Sequence, residues 1–136
     1  YYLIFATRHI DGMLAFGESS SLGLQRWRKY LAEQTADDSL FGAADDWESR
    51  WKEEEAKLKA TWVDMLAERL TTELAKGEPF RTIDRGDEIL RDDLAGVVRG
   101  LHLRAAINLL LKEGKTSTDP KGVGNSELWK LLLKPG

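Results

Sequence analysis

Apolar positions along this chain fall into three blocks. In the last, Leu103, Ala106, Ile107, Leu110 and Leu111 recur at spacings of three and four. That is the period of one helix face, and it predicts a helix over Leu101–Glu113 with Gly114 as its stop. Lys115–Thr118 and Glu127–Leu133 then read as two strands joined by a turn at Thr118–Asn125, which holds Pro120, Gly122 and Gly124. Helix, strand, turn, strand is how a winged helix-turn-helix ends, with Leu101–Glu113 as its recognition helix and the turn as its wing.

In the middle block Trp47, Trp51, Leu58, Trp62, Met65, Leu66, Leu70 and Leu74 are spaced by one, three, four and seven. They predict a long amphipathic helix, capped by Asp45 or Asp46, running to Lys76 and closed by Gly77 and Pro79. About 30 residues at 1.5 Å each span roughly 45 Å. A compact domain of this length is only about 35–40 Å across, so this helix must kink or project. Beyond it, Glu78–Arg85 reads as extended or loop, and Asp84 or Asp87 caps a short helix to Leu94.

The first block opens with Tyr1–Arg8, apolar on both faces as in a covered sheet. His9–Gly12 reads as a turn and Gly12–Gly17 as a short apolar segment. Glu18–Gly23 reads as a loop or cap. Leu22–Gln34 reads as a helix with Leu24, Trp27 and Leu31 on one side, and Thr35–Ala44 as a loop. The expected fold is mainly α with a small β component. Residues 1–44 hold an N-terminal strand and helix, and residues 45–76 the long helix. Residues 77–136 form a C-terminal winged-helix module, with 61–76 as its first helix.

Composition narrows the classes. The absence of Cys among 136 residues excludes disulfides and thiolate metal sites, and favours a cytoplasmic setting. No apolar run approaches the roughly 20 residues of a membrane span. The chain opens without Met in an apolar run, so a piece of a longer protein is expected. Residues 97–136 carry seven Lys and Arg against three acidic residues, a net +4 that leaves −7 on the rest. A basic end on an acidic body points to an anionic partner.

Two candidate surfaces follow. Arg104, Asn108 and Lys112 recur every fourth residue. Arg and Asn suit base edges, Lys suits phosphate, and Lys115 and Lys121 on the wing would add phosphate contacts. The partner would be double-stranded DNA, although the same three residues also read as the solvated side of a core helix. The second surface is Trp47, Trp51, Leu58 and Trp62, a stripe for a protein partner or for self-association.

No catalytic constellation is present. Gly114-Lys115-Thr116 copies the end of a phosphate loop, but Leu109 stands where that loop needs Gly, and the tripeptide closes a helix. The carboxylate runs at Asp45–Asp46, Glu53–Glu55 and Asp92–Asp93 read as solvated faces. His9 and His102 have no sequence neighbour suited to acid–base work. No cofactor or metal is expected.

Tyr1–Gly12 (YYLIFATRHIDG), followed by Met13-Leu14, resembles the late strand-and-turn segment of the three-Cys-motif partner proteins (TcmP). Leu101–Thr116 (LHLRAAINLLLKEGKT) is similar to the helix-then-strand end of their winged-helix-like part. The resemblance covers about a quarter of the chain. It implies a methyltransferase-like Rossmann domain upstream, whose sheet would include Tyr1–Arg8. The Gly-rich cofactor loop of such a domain has no counterpart in these residues, so the resemblance assigns no catalytic or cofactor residue here. It adds a third reading, the non-catalytic tail of a methyltransferase-like enzyme.

Overall fold

A computed structural model describes residues 6–37 and 46–136. The chain is mainly helical with a small sheet. Helices α1 (Ile10–Asp37) and α2 (Trp47–Leu74) are followed by strand β1 (Phe80–Arg81) and two short helices, α3 (Gly86–Ile89) and α4 (Arg91–Leu94). Helix α5 (Gly100–Lys112) and strand β2 (Leu132–Leu133) complete it.

The core forms where the second half of α2 meets α5. Leu66, Leu70 and Leu74 share it with Leu103, Ile107 and Leu110, all six at most 4% exposed. Each side chain so buried contributes about 1.5–3 kcal/mol from water exclusion. Phe80, Ile89, Leu90, Leu94, Val98, Leu128, Trp129 and Leu133 close the same cluster. The predicted α5 stripe is therefore the buried face, except that Leu111 is only half-buried. Gly114 stops α5 with φ of 71°, a left-handed conformation glycine adopts at little cost.

Strands β1 and β2 pair antiparallel, Phe80 opposite Leu133 and Arg81 opposite Leu132. On the other side of the chain end, Thr116 bridges Pro135. The Ser117 N–H donates to Lys134 O at 3.1 Å, and Lys134 N–H donates to Thr118 Oγ1 at 2.9 Å. Residues 132–135 thus lie between the 80–81 and 116–118 segments. Extended pairing is shorter than the two predicted strands, because Leu128–Lys130 winds into a 3-10 turn.

The N-terminal expectations need correction. The strand expected at Tyr1–Arg8 falls mostly outside the described residues, and Ala6–Arg8 is irregular. The turn, short segment and loop expected between His9 and Gly23 are instead one helix of 28 residues through Gly12, Gly17 and Gly23. Tertiary contacts outweigh the weak helix propensity of Gly and Ser here. Ser21 Oγ donates to Val97 O at 2.6 Å, and Glu18 Oε1 accepts the Gly100 N–H at 2.5 Å. Gly17 brings α1 near the Gly96 backbone, where a methyl would already be in van der Waals contact.

Two further expectations change. Asp46 precedes α2 but makes no side-chain cap hydrogen bond, while Asp45 lies outside the described residues. Asp84 and Asp87 also cap nothing, and Asp84 instead pairs with Arg81 at 2.8 Å. The helix expected to Leu94 is split by Arg91, whose φ is +41°. The first half of α2 buries no residue fully, because its neighbour is α1 rather than the core.

Gly100 carries a constraint that propensity alone would miss. A Cβ there would lie 2.2 Å from Asn125 O and 2.7 Å from its carbonyl carbon. In an open helix Gly→Ala stabilises, yet here the backbone of the 118–125 loop occupies the space. Gly100→Ala is expected to destabilise by about 1–3 kcal/mol, the usual cost of overpacking. Chemical denaturation measures it, and an unchanged or raised midpoint would disprove the close approach.

Candidate functional site

The five residues expected to grip nucleic acid do not form one free surface. Arg104 holds the loop that was expected to form the wing. Its guanidinium donates to Pro120 O at 2.9 Å, to Val123 O, and to Asn125 Oδ1 at 3.1 Å. Pro120 is buried beneath this arrangement, and Lys121 N–H donates to Asp119 Oδ1 at 2.8 Å in an Asx turn. The loop lies against the N-terminal half of α5. Asn108 and Lys112 remain exposed on the same helix. Lys115 pairs with Glu113 at 2.8 Å, whereas Lys112, Lys121 and Lys134 have no acidic partner among the described residues.

The Trp stripe of α2 is partly covered by α1. Trp47, Trp51, Leu58 and Trp62 are all half-buried. Trp47 and Trp51 line a cleft with Ala32, Thr35 and Ala36 of α1. Lys29 Nζ sits 5.4 Å above the Trp51 ring and the Arg28 guanidinium 5.6 Å above Trp62, both within cation–π range. Trp62 also meets the His102 ring edge-on at 5.4 Å.

Covering α2 leaves α1 facing outward in an unusual way. From Gly17 onward its inner side consists of small and polar residues, Gly17, Ser21, Gln25, Arg28, Ala32 and Ala36, whereas Met13 and Leu14 in its first turns pack against the core. Its outer side carries Leu24, Trp27, Tyr30 and Leu31, exposed by 41%, 55%, 49% and 45%. Trp27 and Tyr30 stack on each other at 5.5 Å. The sequence marked Leu24, Trp27 and Leu31 as one face, and that face points to solvent. Nothing in the spacing of one helix reveals which side its neighbours will cover.

A polar junction between α1, α2 and the start of α5 had no counterpart in the sequence reading. Arg28 and Glu55 form a two-pronged ion pair, with Arg28 Nη2 to Glu55 Oε2 at 3.1 Å. Arg99 N–H donates to His102 Nδ1 at 2.9 Å, so this nitrogen is an acceptor and the ring is neutral. His102 is 2% exposed, and its pKa is pushed down to about 4. Burial is the main cause, followed by the charges of Arg99 and Lys59. A signal existed in principle: Arg28, Glu55, Lys59, Arg99 and His102 are all chargeable, but 74 residues separate the outermost two.

Among the described residues no group of three or more His, Asp or Glu gathers as metal ligands would. No described helix is long and apolar enough to cross a membrane. Comparison with protein-family models, with curated proteins and with solved structures finds no match.

His102 makes stability depend on pH in a definite direction. Its folded pKa of about 4 lies below its ordinary 6.5, so folding disfavours the proton. The contribution is complete above pH 6.5 and is lost as pH falls through 4, with a ceiling of roughly 3 kcal/mol. Protonation would also remove the acceptor for Arg99 N–H. The stability advantage of the wild type over His102→Gln should therefore shrink between pH 6.5 and 4 in denaturant titrations. Parallel pH profiles would refute it.

Proposed function

We propose that this chain is a protein-association module that works through the outer ridge of α1, packing against a second copy of itself. The observation that carries this reading is the reversed polarity of α1 from Gly17 onward, with Leu24, Trp27, Tyr30 and Leu31 outward and small or polar residues inward. A ridge of this kind exposes roughly a few hundred Å² of apolar surface, the size of the largest patch on a typical monomer, which is often functional. Helices bury such stripes whenever a partner surface is available. The expected Trp47–Trp51–Leu58–Trp62 surface is then the support that holds α1 in place.

Light scattering across a concentration series tests the proposal. The expected mass rises toward a dimer. The double variant Trp27→Lys with Leu31→Lys should stay monomeric with unchanged far-UV dichroism. A wild type that remains monomeric throughout the series, or a variant that dimerises equally well, would sink the idea.

A second reading is a winged-helix module that binds duplex DNA, or serves as the tail of a TcmP-like protein. It is favoured by the order α5, Thr116 bridge, β2, with 132–135 between β1 and the 116–118 segment. Lys112, Lys121 and Lys134 would supply phosphate contacts, while Arg104 would keep the wing in shape rather than read bases. Fluorescence anisotropy with duplex DNA should then show binding that weakens steeply with salt. Lys112→Ala with Lys121→Ala should weaken it further, and affinity indifferent to both salt and substitution rejects this reading.

A further inference from the structure

The polar junction between α1, α2 and α5 encloses a cavity of about 250 Å³. Three cations line it, Arg28, Lys59 and Arg99, against one carboxylate, Glu55. That carboxylate is taken by Arg28 in the two-pronged pair. Lys59 has no acidic partner among the described residues, and Arg99 reaches only the neutral amide of Gln25, at 3.2 Å. Arg99 Nε is buried without any hydrogen-bond partner. The N-terminus of α5 adds no free positive potential to the recess, because the Glu18 carboxylate already accepts the Gly100 N–H. Trp62 and Leu101 supply an apolar wall.

Two cations without an acidic partner give the recess a positive potential that favours entry of an anion. Both cations act on His102, which stays neutral and cannot add a third charge. The volume lies just below the usual range for small-molecule pockets, roughly 300–1,000 Å³, which selects a small occupant. We propose that this cavity binds a compact organic anion, a carboxylate on a small flat apolar body, with Arg99 and Lys59 holding the carboxylate and Trp62 and Leu101 flanking the body. A guanidinium beside an ammonium suits a carboxylate, and the indole suits a flat ring. The site is separate from the α1 ridge and does not depend on self-association.

The test is an NMR titration of the full chain with sodium benzoate, sodium acetate and inorganic phosphate at fixed ionic strength. Benzoate should give saturable shifts at the Trp62 indole and at the Leu101 amide. Acetate and phosphate should bind more weakly, by roughly tenfold, because neither has a body for the apolar wall. Arg99→Gln and Lys59→Gln should each weaken benzoate by about tenfold, the scale of one charge-assisted hydrogen bond. Lys59 is exposed on α2, so that variant keeps the test valid even if Arg99→Gln fails to fold. Lys52→Gln, at a surface pair with Glu48, should change nothing. Shifts that never saturate, equal binding of acetate or phosphate, or undiminished binding in Lys59→Gln would overturn the proposal.

Discussion

The seam between α2 and α5 is the constraint from which the other placements follow. Once Leu66, Leu70 and Leu74 lie against Leu103, Ile107 and Leu110, the rotation of both helices about their axes is fixed. The side of α5 bearing Asn108 and Lys112 must then face away. The start of α5 must meet the 118–125 loop, and Gly100 is what lets the two backbones approach so closely. The same rotation presents Glu55, Lys59 and Trp62 of α2 to α1. The core seam thus sets the geometry of the polar junction without contributing an atom to it.

Arg104 shows how one side chain can answer a different question from the one its position poses. On a helix expected to read bases, an Arg on the outer face looks like a probe. Here its planar fork meets three acceptors on one loop, a role that rewards a rigid, multiply donating group. Lysine at that position could not hold all three in the same geometry. The loop is consequently part of the body.

The parts legible in the sequence were those with strong local codes. Period, length and a glycine stop gave α5 nearly to the residue, and the Leu66–Leu70–Leu74 stripe gave the buried half of α2. The extended or loop character of Glu78–Arg85 was also readable, and it holds for strand β1 at Phe80–Arg81. The helix read at Leu22–Gln34 lies within α1, and what failed was the part before it, because Gly12, Gly17 and the run Ser19–Ser21 speak locally for breaks. Their helical state rests on Ser21 reaching Val97 and Glu18 reaching Gly100, contacts about 80 residues away in the chain. The polar junction was invisible for the same reason: its members come from three segments, and no spacing rule links them. The Trp stripe was read as a partner surface, but a single helix cannot announce that a neighbour from its own chain will cover it.

The manner in which α1 is fastened has an evolutionary corollary. Two of its anchors to the body address main-chain atoms, the carbonyl of Val97 and the amide of Gly100. Every residue offers a carbonyl and nearly every residue an amide, so side chains near this turn can drift while the anchorage survives. The side chains of Glu18 and Ser21 enjoy no such licence. Related chains that keep this architecture would therefore owe nothing to the side chain of Val97 for this anchorage, while Gly100 stays fixed by the loop behind it.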